Sequence, residues 1–118
     1  GPFIQYTYAR INSILRKNTV NIKVDLSIKI SNKEKELIKL ILEFPKVIQE
    51  SAKLYSPALV ANYIFELVKE FNSYYQSIPI LTAESTKTIS FRVALSKKIA
   101  EIIKTGMSLL GIKVPERM

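Results

Sequence analysis

Histidine, cysteine and tryptophan are absent from these 118 residues, and glycine occurs only three times. Each absence removes a class of chemistry. Without cysteine there are no disulfides, thiolate nucleophiles or sulfur metal ligands, and the redox compartment is not legible from thiols. Without histidine the commonest general base and zinc ligand are gone as well. Gly1, Gly106 and Gly111 lie too far apart to build a phosphate-cradling loop. No apolar run approaches the roughly 18–20 residues of a membrane span, and the start does not read as a secretory signal. Acidic residues are scarce, ten against eighteen lysines and arginines, for a net charge of +8. Catalysis by this chain alone is therefore not expected, and no catalytic or metal-binding residue is assigned.

Hydrophobic residues make up 47% of the sequence, enough for a packed core. The length suits one domain, 1–118, able to bury about two-thirds of its unfolded surface. The positive balance suits a polyanionic partner held through phosphate contacts. A lysine-solvated surface would have the same composition, because no Lys/Arg block exceeds two residues.

Helical periodicity dominates. Ile4, Tyr8, Ile11 and Leu15 recur at i, i+4, i+7 and i+11 on a first helix ending near Lys17. Ser31-Asn32-Lys33-Glu34 has the form of a capping box, followed by an apolar stripe of Leu37, Ile38, Ile41 and Leu42. Pro45 predicts a break there, with a new short helix to about Lys53. Ser56-Pro57 starts a central helix, a capping hydroxyl before proline at N1, with Val60, Ile64, Leu67, Val68 and Phe71 on its core face. Ser77 to Ser85 reads as a loop. A last helix from about Ser85 buries Val93, Leu95, Ile99, Ile102, Ile103 and Leu110. Gly111 suits its left-handed end, and Gly106 suits a close helix contact. Val20, Ile22, Val24, Leu26, Ile28 and Ile30 alternate with polar residues like a strand, but no second strand pattern exists to pair with it. An extended linker across the bundle is the favoured form. The fold class is all-α, a bundle of four to five helices with an extended segment near 19–30.

Tyr6, Arg10, Ser13 and Lys17 share the opposite face of the first helix. An aromatic ring and two cations at helical spacing suit unstacked bases, the ring stacking and the guanidinium donating to a base edge or phosphate. A solvated face with an amphipathic tyrosine has the same spacing. Arg16, Lys97, Lys98 and Lys104 are candidate phosphate neighbours, more simply read as solvated lysines and arginine. Glu66 and Glu70 lie one turn apart, but with Lys69 between them they read as salt-bridged surface rather than an acid/base or magnesium pair.

The ordered set Gln5-Tyr6-Thr7-Tyr8-Ala9-Arg10, Ala61-Asn62-Tyr63, Phe71-Asn72-Ser73-Tyr74-Tyr75, Phe91-Arg92-Val93-Ala94-Leu95 and Val114-Pro115-Glu116-Arg117-Met118 closely resembles the C-terminal anticodon-binding domain of class I arginyl-tRNA synthetases. The Asp-Ala-Leu-Arg tetrapeptide that names the DALR domain is missing. So are the His-Ile-Gly-His and Lys-Met-Ser-Lys-Ser motifs of the nucleotide-binding core. The resemblance implies a C-terminal fragment of a larger synthetase, inactive alone. It also implies that Tyr6, Arg10, Tyr75 and Met118 face the anticodon loop, with Asn72, Lys17 and Tyr74 as weaker candidates. Asn72 has two expected partners, a base or the Ser77–Ser85 loop.

The partners implied are arginine tRNA and the catalytic domain of the same chain, without a membrane, in a cytoplasmic and monomeric protein. ATP and magnesium belong to the full-length arginine–tRNA ligase; no cofactor is expected in this fragment. Two alternatives are an anticodon domain of another class I synthetase, such as a cysteinyl or methionyl enzyme, and a helical protein-interaction module pairing through Val20–Ile30.

Overall fold

The computed structural model describes residues 2–25 and 27–111, which form four helices: α1 Pro2–Lys17, α2 Asn32–Lys53, α3 Pro57–Ser77 and α4 Thr86–Leu109. α3 and α4 pack on each other and carry α1 and α2, whose backbones do not come close to one another. Ile64, Leu67, Val68 and Phe71 of α3 are completely buried, as are Val93, Ile99 and Ile103 of α4. Such side chains each contribute about 1.5–3 kcal/mol by leaving water. α1 adds Ile4, Tyr8, Ile11 and Ile14 to this core, and α2 adds Leu37.

The capping box forms as its sequence requires. Ser31 Oγ accepts from the Glu34 amide, and Glu34 Oε1 accepts from the Ser31 amide at 2.9 Å. α4 opens on Ser85, whose hydroxyl accepts from the Thr88 amide, and closes with Gly111 at φ +77°. Gly106 lies against Ile64: a Cβ there would stand 2.6 Å from Ile64 Cδ1. Close α3–α4 packing explains a glycine in mid-helix.

Several expectations are corrected. Pro45 lies inside an unbroken α2 rather than breaking it, which leaves four helices, within the expected four to five. Proline lacks the amide that would bond Ile41 and crowds that carbonyl. Tertiary contacts nevertheless hold both halves of α2 in line. Phe44 stacks on Tyr63 with centroids 5.4 Å apart, and the Tyr63 hydroxyl donates to the Leu40 carbonyl. Ser56 is the N-cap of α3, but its hydroxyl makes no cap hydrogen bond. Leu110 is only partly buried.

Residues 19–30 form no strand among the described residues. Ser90 on α4 both donates to the Lys23 carbonyl and accepts its amide, so a side chain replaces the missing partner strand. Ile28 and Ile30 pack against the core, while Ile22 and Val24 are exposed. No described helix is long and apolar enough to cross a membrane.

Candidate nucleic-acid interface

Of the side chains singled out on α1, Arg10, Ser13 and Lys17 line one cleft, and Tyr6 is not among its lining residues. Arg10 projects from α1 to the last turns of α3, where its Nη1 donates to Asn72 Oδ1 at 2.6 Å. Its Cζ stands 4.5 Å from the centroid of the Tyr75 ring, a cation–π contact. Tyr75 in turn stacks on Phe71, with centroids 6.3 Å apart. The aromatic ring thus rests on the core on one account and carries a cation on the other.

Asn72 orders this arrangement from within. Its Nδ2 donates to Thr7 Oγ1 at 2.7 Å and to the Val68 carbonyl at 3.1 Å. Thr7 Oγ1 donates onward to the Phe3 carbonyl. The amide nitrogen therefore faces inward, which leaves Oδ1 as the acceptor for Arg10. Only one of the five guanidinium N–H groups is used on Asn72, and Arg10 is exposed. The others remain available for a base edge or phosphate.

Arg10 and Tyr75 border a cleft of about 460 Å³. Ser13, Ile14 and Lys17 continue its α1 side, and the loop Ile78–Thr82 forms the facing wall. Among the described residues, no acidic side chain lines it. A cleft with two cations, an aromatic ring and hydroxyls suits a flat, polar, anionic ligand.

Of the sequence candidates, Arg10, Tyr75 and Lys17 border this cleft together. Tyr75 is 41% exposed and Tyr6, one turn before Arg10, is 60% exposed. Tyr74 is not at the surface. It is wholly buried, and its hydroxyl donates to Glu34 Oε2 at 2.9 Å. Burial and the neighbouring carboxylate both push this phenol well above its ordinary value. Asn72 makes no hydrogen bond to the Ser77–Ser85 loop and is the buried support of Arg10. Met118 lies outside the described residues. Lys98 stands away from the cleft, beside Glu101 and a groove bordered by Ile41 and Phe44.

The loop wall was missed in the sequence, although Ile78, Ile80 and Leu81 flanking Pro79 signal a packed loop. Also missed was Arg92, whose Nε donates to Glu34 Oε2 at 3.0 Å and whose Nη1 donates to the Pro79 carbonyl at 2.7 Å. Burial alone would raise the Glu34 carboxyl. The Ser31 amide, the Tyr74 hydroxyl, the Ser31 hydroxyl and Arg92 outweigh it and hold Glu34 below the usual carboxylate range.

Comparison with known proteins identifies the family of this fold. The family model described as the DALR anticodon binding domain matches residues 4–118. The chain is 61% identical, over its whole length, to an arginine–tRNA ligase of Flavobacterium psychrophilum, of which it covers 20%. It is 50% identical to an arginine–tRNA ligase of Parabacteroides distasonis, again over all of this chain and 21% of that protein. Among solved structures it resembles Thermus thermophilus arginyl-tRNA synthetase, with a TM-score of 0.91 and 34% identity over all of this chain and 21% of that one. The chain thus spans about a fifth of the length of these relatives. By the match along its length and the likeness of its fold, it belongs to the DALR anticodon-binding domain family.

Proposed function

We propose that this domain recognises the anticodon loop of arginine tRNA as part of an arginine–tRNA ligase. The observation that carries the reading is the Arg10–Tyr75 pair, fixed by Asn72 at the border of a cleft that no acidic side chain lines among the described residues. An unstacked anticodon base would stack on an exposed tyrosine, Tyr75 or Tyr6, while Arg10 donates to its edge or to a neighbouring phosphate. Such stacking is worth about 1–3 kcal/mol per base. Lys17 supplies a second cation along the cleft. Met118 is assigned to the same surface by family resemblance. Anticodons for both arginine codon families carry cytosine in the middle, so a pocket reading that base serves them all.

In the intact ligase, ATP and magnesium would support arginine activation and esterification of the tRNA end. Those steps belong to the remainder of the enzyme, the catalytic domain of the same chain. Among the described residues no group of three acidic side chains forms a metal-ligand set. The contribution of this domain is positional: phosphate contacts orient the tRNA and base contacts select it. Such an enzyme would act in the cytoplasm as a monomer.

The test is a titration with arginine tRNA and with the same tRNA changed at the central anticodon base, at low and moderate salt. Preference for the unchanged tRNA should persist as salt rises, and Arg10→Ala should lower that affinity by about tenfold, equivalent to ~1.4 kcal/mol. Equal binding of both tRNAs, erased by salt, would reduce the surface to an unspecific basic patch.

A further inference from the structure

Glu34 is the only charged side chain among the described residues to be fully buried, at 1% exposure. A buried carboxylate is tolerated only when its oxygens are satisfied. Here Oε1 accepts from the Ser31 amide, and Oε2 accepts from both the Tyr74 hydroxyl and Arg92 Nε. The same atom therefore ties the end of α3, one residue before Tyr75, to α4.

Arg92 extends this tie to the facing wall of the cleft. Its Nη1 bond to the Pro79 carbonyl is the single hydrogen bond, among the described residues, that reaches the chain between Pro79 and Glu84. Otherwise that stretch is anchored by its apolar side chains, chiefly the buried Ile80. The guanidinium is planar and rigid, so seating Nε on Glu34 also sets where Nη1 points. The position of Pro79 thus follows from the position of Glu34, which its capping bond to Ser31 holds in place.

We propose that Glu34 and Arg92 are positioning residues of the RNA cleft, setting the Ile78–Thr82 wall at a defined distance from Tyr75. Neither touches the RNA. They act through the loop and through Tyr74, and the proposal rests on the anticodon reading of the cleft. A base entering between Tyr75 and the loop meets a preformed gap, and without the tie the loop must be ordered on binding, at a cost in affinity.

The test uses the full-length ligase carrying this domain, with steady-state aminoacylation of arginine tRNA and a thermal melt for each variant. Arg92→Lys keeps a positive charge beside Glu34, but one ammonium cannot reproduce the forked link to Pro79. Arg92→Lys and Glu34→Gln should each raise KM for tRNA by about tenfold, with kcat at saturating tRNA unchanged. The rise should persist at temperatures far below each variant's melting midpoint. A KM within twofold of wild type in both variants overturns the proposal, as does a rise that vanishes on cooling, which assigns the pair to stability alone. Arg10→Ala is run in parallel. If it raises KM while the other two do not, the positioning role fails and the cleft reading stands; if none of the three matters, the cleft reading fails first.

Discussion

Arg10 and Asn72, 62 positions apart, meet through a 2.6 Å hydrogen bond that the exposed guanidinium donates to the buried amide oxygen. The amide is itself locked by Thr7 and Val68, so a core hydrogen-bond chain dictates where a surface cation stands. Pre-organisation of this kind lowers the ordering cost of binding.

Asn72→Ala should therefore weaken arginine-tRNA binding severalfold by releasing Arg10 from its fixed position. Its own cost to folding should be about 1–3 kcal/mol, because buried bonds to Thr7 and Val68 are lost. In titrations, the Arg10→Ala/Asn72→Ala double variant should bind no worse than Arg10→Ala. Strict additivity of the two losses would show that Asn72 does not act through Arg10.

Stability should fall in acid through Glu34. Its carboxyl sits below its ordinary value of 4.5 in the folded chain, so the unfolded chain takes up the proton first as pH drops. The stabilisation is complete above that ordinary value and is lost as pH falls through the lower, folded one. Tyr74 behaves in the opposite sense. Its raised phenol stabilises the fold fully below its ordinary value of 10.0, and that contribution declines at higher pH. Urea midpoints measured from pH 7 to pH 3 should drop more steeply for wild type than for Glu34→Gln. Asp25, lowered to about 2 by its bonds to the Ser27 hydroxyl and amide and to Lys87, adds an acid limb common to both proteins. Parallel acid limbs would remove Glu34 from the explanation.

Gly106→Ala tests the α3–α4 contact. Alanine normally favours a helix interior by about 0.8–1.0 kcal/mol over glycine. Here the new methyl would stand 2.6 Å from Ile64 Cδ1 and 2.8 Å from Cγ1, and Ile64 is completely buried among core neighbours. Overpacking should prevail, with a net loss of about 1–2 kcal/mol in urea unfolding. Combining it with Ile64→Val, which removes Cδ1, should give less than the sum of the two losses. Additive losses would mean that the backbones simply move apart.

Local chemistry wrote much of this fold into the sequence. The heptad-like spacing of Ile4, Tyr8 and Ile11, the Ser31–Glu34 capping box, Pro57 at a helix start and Gly111 at a helix end each act over a few residues. Their consequences need no knowledge of the rest of the chain. The same is true of the exposed face bearing Tyr6, Arg10 and Lys17, and the family resemblance rested on residues in order along the chain.

What tertiary structure decided were competitions between local preference and distant contacts. Pro45 disfavours a continuous helix, yet Tyr63 and the core hold α2 together across it. Residues 20–30 alternate like a strand, yet Ser90 takes the backbone bonds a neighbouring strand would have made. Tyr74 and Tyr75 are indistinguishable as neighbouring tyrosines, and only the rotation of α3 against the core buries one and exposes the other. Glu34 reads locally as a helix cap. Its second oxygen, Arg92 and Pro79 come together only because α2, α3, α4 and the loop converge, and a contact of that sequence separation leaves no local pattern to read.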